Sequence, residues 1–358
     1  MIEIEENKSL DGMTTFGLSA KAEAWAEASS PEALGEAHDE AARRGWRVSI
    51  LGGGSNTIAL ERVPGLVLVP AFRGVRLEAR PDGRTLLTAG AAERLDDVVR
   101  RSVAEGLSGL ENLAAIPGSV GGAVVQNAGA YGVELADRVA AVRVWDPESR
   151  EVRTIDTEGC DFGYRTSLFK RPAGRRLVIL EATFELARGA GASLGYKGLA
   201  ARFSGRDPAT VSPSEVESAV REIRAAKLPD PARTGSAGSF FKNPVVTKIK
   251  AREIVTLHPS LVSYPLAGGR AKLAAGWLIE TAGMARTSEG GAGVWPQHAL
   301  VLVNNGGASA RDVLRLSRAI ALRVERRFGV ALEPEPVLLG GDWADWDALA
   351  GIEPESQG

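Results

Sequence analysis

Cysteine and histidine are scarce in this chain, which has one cysteine, Cys160, and three histidines among its 358 residues. A single cysteine cannot form a disulfide within the chain, so the sequence is typical of a reducing compartment. The histidines, His38, His258 and His298, have no spacing that indicates a zinc or haem site. We therefore expect a cytoplasmic protein with no resident metal.

Long apolar runs and an excess of basic residues are also missing. No stretch approaches the ~18 uninterrupted apolar residues of a transmembrane helix, and the acidic residues 1–8 contain no apolar signal core. The formal net charge is -2, whereas a general nucleic-acid binder normally has a basic excess. We expect neither a membrane span nor a nucleic-acid partner, although local basic clusters could still hold a small anion.

What remains is the composition of an ordinary globular protein, with 44% apolar and 25% charged residues. A chain of this length exceeds the size at which one core is economical, so two or three domains are expected. Alternating residues predict a strand over 22–28, and Ser30-Pro31 predicts a helix that ends at Gly45. Two more strands are predicted over 47–51 and 66–69. The main domain boundary is expected near residue 210.

The first glycine loop is GGGSN at residues 52–56, directly after the second predicted strand. Glycines let successive backbone N–H groups converge on an anion, and Ser55 and Asn56 add donors. The loop could hold a phosphate, or it could be only a tight turn. It is neither the G-x-G-x-x-G of a Rossmann site nor, without a following G-K-[ST], a P-loop.

A second glycine loop, IPGSVGG at residues 116–122, lies within the glycine-rich tract 107–132. Its small side chains and many amides are typical of backbone that approaches another group closely. Two such loops on different β elements could hold a pyrophosphate between subdomains. The alternative is a glycine-rich packing crossover, and glycine content alone does not decide between the two.

A capping box at Ser212 and Glu215 gives the clearest helix start in the chain. Further along this helix, Arg221, Arg224 and Lys227 form a basic face, which is either solvated or able to meet a diphosphate. A last helix is predicted from 309 to 329, then a strand over 330–339 and a frayed acidic tail over 341–358. The residues expected to face inward on that last helix are Val313, Leu316, Ile320 and Val324.

Three segments carry side chains suited to binding or catalysis. Arg165 lies in FGYRTS (162–167), where a fixed-charge guanidinium could bind a carboxylate or a developing oxyanion. Ser239 lies in GSFFKNP (238–244) with no neighbouring histidine, so a Ser–His–Asp nucleophile is not indicated. Glu335 lies in LEPEP (332–336), where Pro334 makes a place in a β ladder improbable.

Taken in order, these segments resemble the UDP-N-acetylenolpyruvoylglucosamine reductase (MurB) family over about residues 14–340. The matching runs are GGGSN (52–56), GLENLAAIPGSVGGAVVQNAGAYG (109–132), FGYRTSLFK (162–170), KLPDP (227–231), GSFFKNP (238–244), KLAAGWLIE (272–280) and LEPEP (332–336). Seven runs in the right order make the resemblance specific. The segment around Tyr196 resembles the form of the family that closes a tyrosine loop over its substrate.

The resemblance implies an α+β fold with a two-subdomain FAD-binding domain of the vanillyl-alcohol-oxidase type, followed by an α/β substrate-binding domain. The implied boundaries are 1–71 for FAD subdomain 1, 72–210 for FAD subdomain 2, 211–329 for the substrate domain, 330–340 for a strand that returns to subdomain 1, and 341–358 for the tail. FAD would be held non-covalently, and NADPH would reduce UDP-N-acetylglucosamine enolpyruvate through it. The product serves peptidoglycan synthesis, and a monomer is expected.

The resemblance also assigns residues to roles. Those matching catalytic positions are Arg165, which polarises the substrate carboxylate, Glu335, its partner there, and Ser239, the general acid. Those matching FAD-binding positions are Gly52, Gly53, Gly54, Ser55, Asn56, Ile116, Pro117, Gly118, Ser119, Gly121 and Gly122. Those matching UDP-sugar contacts are Tyr131, Tyr196, Lys227, Asn243 and Tyr264. The run VWPQH (294–298) departs from the family pattern, which leaves Gln297 and His298 without an assigned role.

Two other functions compete with this interpretation. Another FAD-dependent carbohydrate oxidoreductase of the same fold often attaches its flavin through a histidine, and none of the three histidines lies in a glycine loop. A non-catalytic UDP-sugar-binding protein is favoured by loss of the catalytic residues, yet Arg165, Ser239 and Glu335 are all present.

Overall fold

The computed structural model describes residues 2–352, which form two compact units. Unit 1 contains the residues up to Lys8, Ala22–Gly54 and Pro64–Ala226. Unit 2 contains Ser9–Lys21, Ser55–Val63 and the chain from Lys227 onward. The finer division predicted from the sequence, with boundaries at 71 and 210, stays a prediction.

Within residues 2–352 the strands are β1 (Glu5–Ser9), β2 (Lys21–Ala28), β3 (Val48–Ile50), β4 (Thr57–Ala59), β5 (Arg62–Pro70), β6 (Val75–Ala79), β7 (Arg84–Gly90), β8 (Leu107–Ser108), β9 (Gly129–Ala130), β10 (Val133–Glu134), β11 (Val139–Trp145), β12 (Val152–Asp156), β13 (Val178–Arg188), β14 (Gly235–Ser239), β15 (Val245–Thr247), β16 (Ser263–Leu266), β17 (Arg270–Leu273), β18 (Ser288–Glu289), β19 (Ala292–Val294), β20 (Val301–Asn304) and β21 (Val337–Leu339). The α-helices are α1 (Pro31–Arg44), α2 (Leu95–Ala104), α3 (Val120–Gln126), α4 (Lys197–Arg202), α5 (Pro213–Lys227), α6 (Lys248–Leu257), α7 (Ala275–Thr281), α8 (Ala310–Phe328) and α9 (Trp346–Ala350). Short 3-10 turns cover Glu111–Leu113, Leu135–Asp137, Leu168–Lys170, Pro208–Thr210 and Trp343–Asp345.

The first layer of unit 1 is a sheet in the order β1-β2-β5-β3, with β3 parallel to β5. Helix α1 packs on it through Leu34, Ala37 and Ala41. The helix starts where predicted, because the Ser30 hydroxyl accepts a hydrogen bond from the Ala33 amide, and it ends at Gly45 with φ 68°. Strand β3 leads directly into the first glycine loop, so this layer fixes where that loop begins.

The second layer of unit 1 is a sheet in the order β12-β11-β13-β7-β6, with antiparallel neighbours. Buried apolar residues of α2, α3 and α5 belong to the same hydrophobic core as the strands of this sheet. The predicted capping box is present, since the Glu215 amide donates to the Ser212 hydroxyl and the Ser212 amide donates to the Glu215 carboxylate.

Unit 2 contains a sheet in the order β14-β20-β19-β18 and a smaller one in the order β15-β17-β16. Helix α8 runs across its core from the Ser309 cap, with its Asp312 partner, to Gly329 at φ 60°. The four residues expected to face inward, Val313, Leu316, Ile320 and Val324, are all buried. Strands β21 and β4 pair in parallel.

The prediction for the end of the chain is wrong in two places. Of the strand expected over 330–339, only Val337–Leu339 is extended in a sheet, because Pro334 and Pro336 cannot donate ladder hydrogen bonds. Of the tail expected over 341–358, residues 341–352 are folded, and the side chain of Trp346 is buried against α8. Residues 353–358 lie outside the described part of the chain.

None of the helices within residues 2–352 combines the length and the apolar character needed to cross a bilayer.

Candidate active site

The two glycine loops predicted to bind a pyrophosphate contact each other within unit 1. The Gly53 amide donates to the Ser119 hydroxyl at 3.0 Å. A Cβ on Gly53 would lie 2.6 Å from the Ser119 nitrogen and 2.8 Å from the Gly118 Cα, and one on Gly52 would lie 2.9 Å from the Ser119 Oγ. Side chains at these positions would force the loops apart, so their close contact requires glycine.

The second loop differs from the prediction of many available amides. Residues 120–126 form helix α3, capped by Ser119. Its first amides are taken by the protein, since Val120 donates to the Glu93 carbonyl, Gly121 to the Ala91 carbonyl and Gly122 to the Ser119 hydroxyl. The exposed glycine backbone is instead at Gly52 and Gly53, opposite Gly118. This exposed stretch of backbone is the candidate position for a pyrophosphate, although the Gly53 amide itself is bonded to Ser119.

Arg165 is held in a left-handed backbone conformation with φ 54°. Its guanidinium Nη2 donates to the Gly129 carbonyl at 2.7 Å, and its own carbonyl accepts from Lys170 Nζ at 3.3 Å. The Asn127 backbone is also left-handed, with φ 44°. Its side-chain Nδ2 donates to the Gly163 carbonyl at 3.0 Å and so holds the turn that precedes Arg165. The arginine is therefore placed by a network rather than left as a solvated side chain.

Tyr131 and Tyr196 contact each other edge to face, with ring centroids 4.9 Å apart. Tyr131 also has a left-handed backbone, φ 50°. Burial raises the pKa of the Tyr131 hydroxyl, which is hydrogen-bonded to Arg224. Burial also lowers the pKa of the Arg224 guanidinium. Of the predicted basic face, Arg224 thus turns to this tyrosine pair, while Arg221 pairs with Asp96 at 2.7 Å.

Asn112 fastens this tyrosine pair and was not predicted to do so. Its Nδ2 donates to the Tyr131 carbonyl at 2.8 Å and to the Ser193 carbonyl, on the Tyr196 segment, at 2.9 Å. The side chain is 1% exposed, and its Oδ1 has no hydrogen-bond partner among residues 2–352. Its amide nitrogen thus links the backbone of the Tyr131 segment to that of the Tyr196 segment. The signal in the sequence was the polar pair Glu111-Asn112 inside the otherwise apolar stretch LENLAAI (110–116).

Ser239 and Glu335 lie on neighbouring segments of unit 2. Ser239 ends β14, where it pairs with Val301. The Glu335 amide donates to the Phe240 carbonyl at 2.8 Å, and the Lys242 amide donates to the Glu333 carbonyl at 3.0 Å. Pro334 thus sits opposite Phe241 in a bridge whose donors come from its neighbours. This is an isolated bridge and not part of a ladder, which agrees with the expectation that Pro334 makes a place in a β ladder improbable.

The last residue of the first glycine motif also holds Glu335. Asn56 Nδ2 donates to the Glu335 carbonyl at 3.2 Å, and the Val337 amide donates to the Asn56 carbonyl at 2.8 Å. The amide predicted as a phosphate donor therefore has one of its hydrogens committed to the Glu335 segment.

The predicted UDP-sugar residues of unit 2 are Lys227, Asn243 and Tyr264. Lys227 is exposed, and its carbonyl accepts from Trp295 Nε1 at 3.0 Å. Asn243 Oδ1 accepts from the Ala275 amide at the start of α7 at 2.9 Å. Tyr264 is half exposed, with Lys272 Nζ 5.7 Å from its ring centroid. The side chains of Lys227 and Tyr264 are therefore accessible to a ligand.

His298, left without a role by the sequence, lies near Lys227. Burial, followed by the positive charge of Lys227, lowers the pKa of the His298 imidazole. Its Nδ1 faces the Leu300 amide at 3.3 Å. The lowered pKa favours the uncharged form of the imidazole beside Lys227.

The remaining candidate chemistry is limited. Within residues 2–352, no group of His, Cys, Asp and Glu side chains is arranged to hold a metal ion. Cys160 is buried, and burial raises the pKa of its thiol to about 11, so it is a poor nucleophile.

Comparisons with known proteins extend these observations. The model of the UDP-N-acetylenolpyruvoylglucosamine reductase C-terminal domain matches residues 230–339, and the model of an FAD binding domain matches residues 22–155. A UDP-N-acetylenolpyruvoylglucosamine reductase of Ralstonia nicotianae is 43% identical over 342 residues, 95% of this chain and 100% of the relative. One of Pseudomonas aeruginosa is 43% identical over 337 residues, 94% of this chain and 99% of the relative.

A solved structure gives the same result at the level of the fold. The UDP-N-acetylenolpyruvylglucosamine reductase (MurB) of Thermus caldophilus superimposes with a TM-score of 0.66 at 27% identity, covering 94% of this chain and 98% of that one. The predicted fold class, an FAD-binding domain followed by a separate C-terminal domain in a mixed α+β chain, is confirmed. The chain belongs to the UDP-N-acetylenolpyruvoylglucosamine reductase (MurB) family.

Proposed function

We propose that this protein is an NADPH-dependent flavoenzyme that reduces UDP-N-acetylglucosamine enolpyruvate to UDP-N-acetylmuramate, a step of peptidoglycan precursor synthesis. The observation that carries the proposal is the pairing of the Ser239 and Glu335 segments in unit 2 through the Glu335 amide and the Phe240 carbonyl. By the family resemblance, this serine would act at a reacting carbon and this glutamate at the adjoining carboxylate. We also propose a cytoplasmic monomer.

FAD would be held by the two glycine loops, chiefly by the exposed backbone of Gly52 and Gly53 opposite Gly118. When bound, FAD would supply the redox chemistry, the transfer of a hydride from NADPH to the terminal carbon of the enolpyruvyl group. The loops contain no histidine, which supports non-covalent binding.

The chain's own residues handle charge and protons at the substrate. Arg165 would bind the substrate carboxylate, on which negative charge develops as the double bond is reduced, and Glu335 would act at the same carboxylate. Ser239 would donate its hydroxyl proton to the carbon next to that carboxylate. A serine hydroxyl is a weak acid, but the enolate that receives the proton is strongly basic, so the transfer is feasible in a closed pocket.

The UDP-sugar would be held by charge and by aromatic contacts. Lys227 offers an exposed ammonium to the diphosphate, and Tyr264 a half-exposed ring. Tyr196 is 39% exposed although it packs on Tyr131, which suits the tyrosine-loop form of the family, in which such a loop closes over the substrate.

A spectroscopic experiment tests the proposal. The purified protein should be yellow, and mild acid or heat should release its flavin as FAD. NADPH should bleach the flavin absorbance anaerobically, faster than NADH does, and UDP-N-acetylglucosamine enolpyruvate should restore it. Flavin that stays with the precipitated protein would contradict non-covalent binding. Absorbance that the enolpyruvyl substrate does not restore would contradict the activity itself.

A further inference from the structure

The folded end of the chain lies beyond the region that the family model matches, which stops at residue 339. It consists of the 3-10 turn Trp343–Asp345 and helix α9. Helix α8 holds it, since Trp346 Nε1 donates to the Leu314 carbonyl at 3.1 Å and Arg318 pairs with Asp347. This segment is therefore a fixed part of unit 2.

Trp343 contacts a residue next to Glu335 and a residue next to Ser239, both in unit 2. Its Nε1 donates to the carbonyl of Pro336, the residue after Glu335, at 2.7 Å. Its ring packs edge to face on Phe240, the residue after Ser239, with centroids 5.9 Å apart. One side chain thus contacts the backbone beside the glutamate and the aromatic ring beside the serine.

The segment around Glu335 needs such external donors. Pro334 and Pro336 have no N–H, so an ordinary β ladder cannot hold the backbone on either side of Glu335. Backbone bonds flank this residue, from the Lys242 amide to the Glu333 carbonyl and from the Val337 amide to the Asn56 carbonyl, and the Glu335 amide donates to the Phe240 carbonyl. The carbonyls of Glu335 and Pro336 accept from the side chains of Asn56 and Trp343, so Trp343 supplies one of the two side-chain donors.

We infer that Trp343 is a positioning residue for the Ser239–Glu335 pair, acting through the Pro336 carbonyl. This inference rests on the proposed function, because it assigns Trp343 to the step in which that pair meets the enolpyruvyl group. Without the indole N–H, the Pro336 carbonyl loses its donor and Glu335 shifts. Reactions that depend on a near-attack geometry are sensitive to such shifts, whereas reduction of the flavin by NADPH does not use the pair.

Two substitutions of Trp343 separate its hydrogen bond from its packing. Trp343→Phe keeps an apolar ring and loses the donor, whereas Trp343→His keeps a ring N–H at a similar reach and loses much of the apolar surface. Trp346→Phe is the matched control, because it removes an indole N–H donated to a backbone carbonyl of α8 in the same segment. Each variant is purified as the full-length holoenzyme, and stopped-flow absorbance follows the two half-reactions separately.

Trp343→Phe should slow reoxidation by UDP-N-acetylglucosamine enolpyruvate by about 3- to 30-fold, the range expected for one lost hydrogen bond and a small displacement. Its reduction by NADPH should stay within about twofold. Trp343→His should recover most of the reoxidation rate despite a lower unfolding temperature. Trp346→Phe should lower the unfolding temperature and leave both half-reactions within about twofold.

Other outcomes overturn the inference. Equal slowing of both half-reactions, equal slowing by Trp346→Phe, or a slow His variant beside a fast Phe variant would mean that Trp343 acts by packing alone. If Trp343→Phe does not fold, the His variant still decides, since a slow reoxidation in a folded protein that retains the donor contradicts the role. A wild-type protein that the substrate does not reoxidise would instead contradict the proposed function.

Discussion

The Arg165 region of unit 1 and the Ser239 region of unit 2 are held by different means. In unit 1, the residues with left-handed backbones include Asn127 at φ 44°, Tyr131 at φ 50° and Arg165 at φ 54°. In unit 2, the left-handed residue beside Ser239 is Gly238, at φ 69°. Glycine takes this conformation without strain, whereas tyrosine and arginine do not.

These left-handed residues of unit 1 are held in place by side-chain hydrogen bonds from Asn112 and Asn127, which act as clamps. Strained backbone persists only when the surroundings over-determine it, and here Asn112 and Asn127 donate to four backbone or side-chain acceptors around it. Among the described residues, the Ser239 region of unit 2 has no such strained residue, and it is held by backbone hydrogen bonds between Phe240, Glu335 and their neighbours together with side-chain donors from Asn56 and Trp343. Removing a clamp should therefore loosen the unit 1 residues, whereas removing a reactive side chain in unit 2 should leave its scaffold intact.

The largest effect is expected for Ser239→Ala in unit 2. The variant should keep near-normal flavin reduction by NADPH, while reoxidation by the enolpyruvyl substrate slows by ~10²–10⁴-fold, the usual contribution of a positioned proton donor. Ser239→Cys should recover part of the rate, because a thiol is a stronger acid than a hydroxyl. Stopped-flow absorbance of the flavin measures each half-reaction.

The control for Ser239→Ala is Ser236→Ala, three residues earlier on β14, where the serine is buried and its backbone pairs with Thr15. This variant should change stability and not the ratio of the two rates. Equal slowing of both half-reactions in Ser239→Ala would mean that the serine shapes the pocket, and the general-acid role would have to be withdrawn.

The second-largest effect is expected when the positive charge of Lys227 in unit 2 is removed. Lys227→Ala should weaken binding of the UDP-sugar by about 1.5–3 kcal/mol, the value of one charge-assisted contact, with little change in flavin reduction at saturating NADPH. Titration of the oxidised flavin spectrum with the substrate gives the affinity. Lys248→Ala, which removes another exposed ammonium of the unit at the start of α6, is the control. An unchanged affinity in Lys227→Ala would count against the diphosphate assignment.

A smaller effect tests the clamps of unit 1. Asn112→Leu keeps the approximate side-chain volume and removes both donors to Tyr131 and Ser193, so it should lower the free energy of unfolding by about 1–3 kcal/mol. If the clamp holds the tyrosine pair for the substrate, KM for the UDP-sugar should also rise by about 3- to 30-fold. Urea unfolding and steady-state kinetics provide the two measurements.

Asn304→Leu is the counterpart in unit 2, because Asn304 Nδ2 donates to the carbonyls of Phe16 and Gly17. It should destabilise the protein without a comparable change in KM. If both asparagine variants raise KM alike, the clamp of unit 1 is ordinary scaffold, and the contrast between the two regions fails.

The elements with local signals were predicted correctly from the sequence. Helices α1 and α8 begin at a serine cap and end at a glycine with positive φ, and both signals act within one turn. The order of the site segments was also readable, since each carries its own motif.

Features that depend on distant contacts were missed. Helix α3 lies in a glycine-rich tract because Gly121 packs on Ala91, where a Cβ would lie 3.1 Å from the Ala91 Cβ. The acidic composition of residues 341–358 indicated fraying. Residues 341–352 are nevertheless folded, because Trp343 packs on Phe240 and Trp346 is hydrogen-bonded to α8. In both cases the partner lies tens to hundreds of residues away, and no local pattern reports it.

The smallest effects are expected at one helix start in each unit, that of α5 in unit 1 and that of α8 in unit 2. In unit 1, the Glu215 carboxylate pairs with Arg206 and with Ser212, which lowers its pKa from an ordinary 4.5 to about 2. In unit 2, the pKa of Asp312 is lowered mainly by hydrogen bonds from the Ser309 amide, and also from the Gly291 amide.

Both carboxylates have folded-state pKa values below their unfolded ones, so the stability that they contribute is present above the unfolded pKa and is lost as the pH falls through the folded one. Glu215→Gln and Asp312→Asn should therefore lower the unfolding midpoint slightly at pH 7. The difference from wild type should close as the pH falls, for Glu215 between about 5 and 2. Salt should separate the two, because screening weakens an exposed ion pair with Arg206 and acts less on bonds to backbone amides. Urea unfolding at low and at high salt measures this, and a Glu215→Gln difference that persists undiminished in high salt would show that its capping bonds to Ser212, rather than the ion pair, stabilise α5.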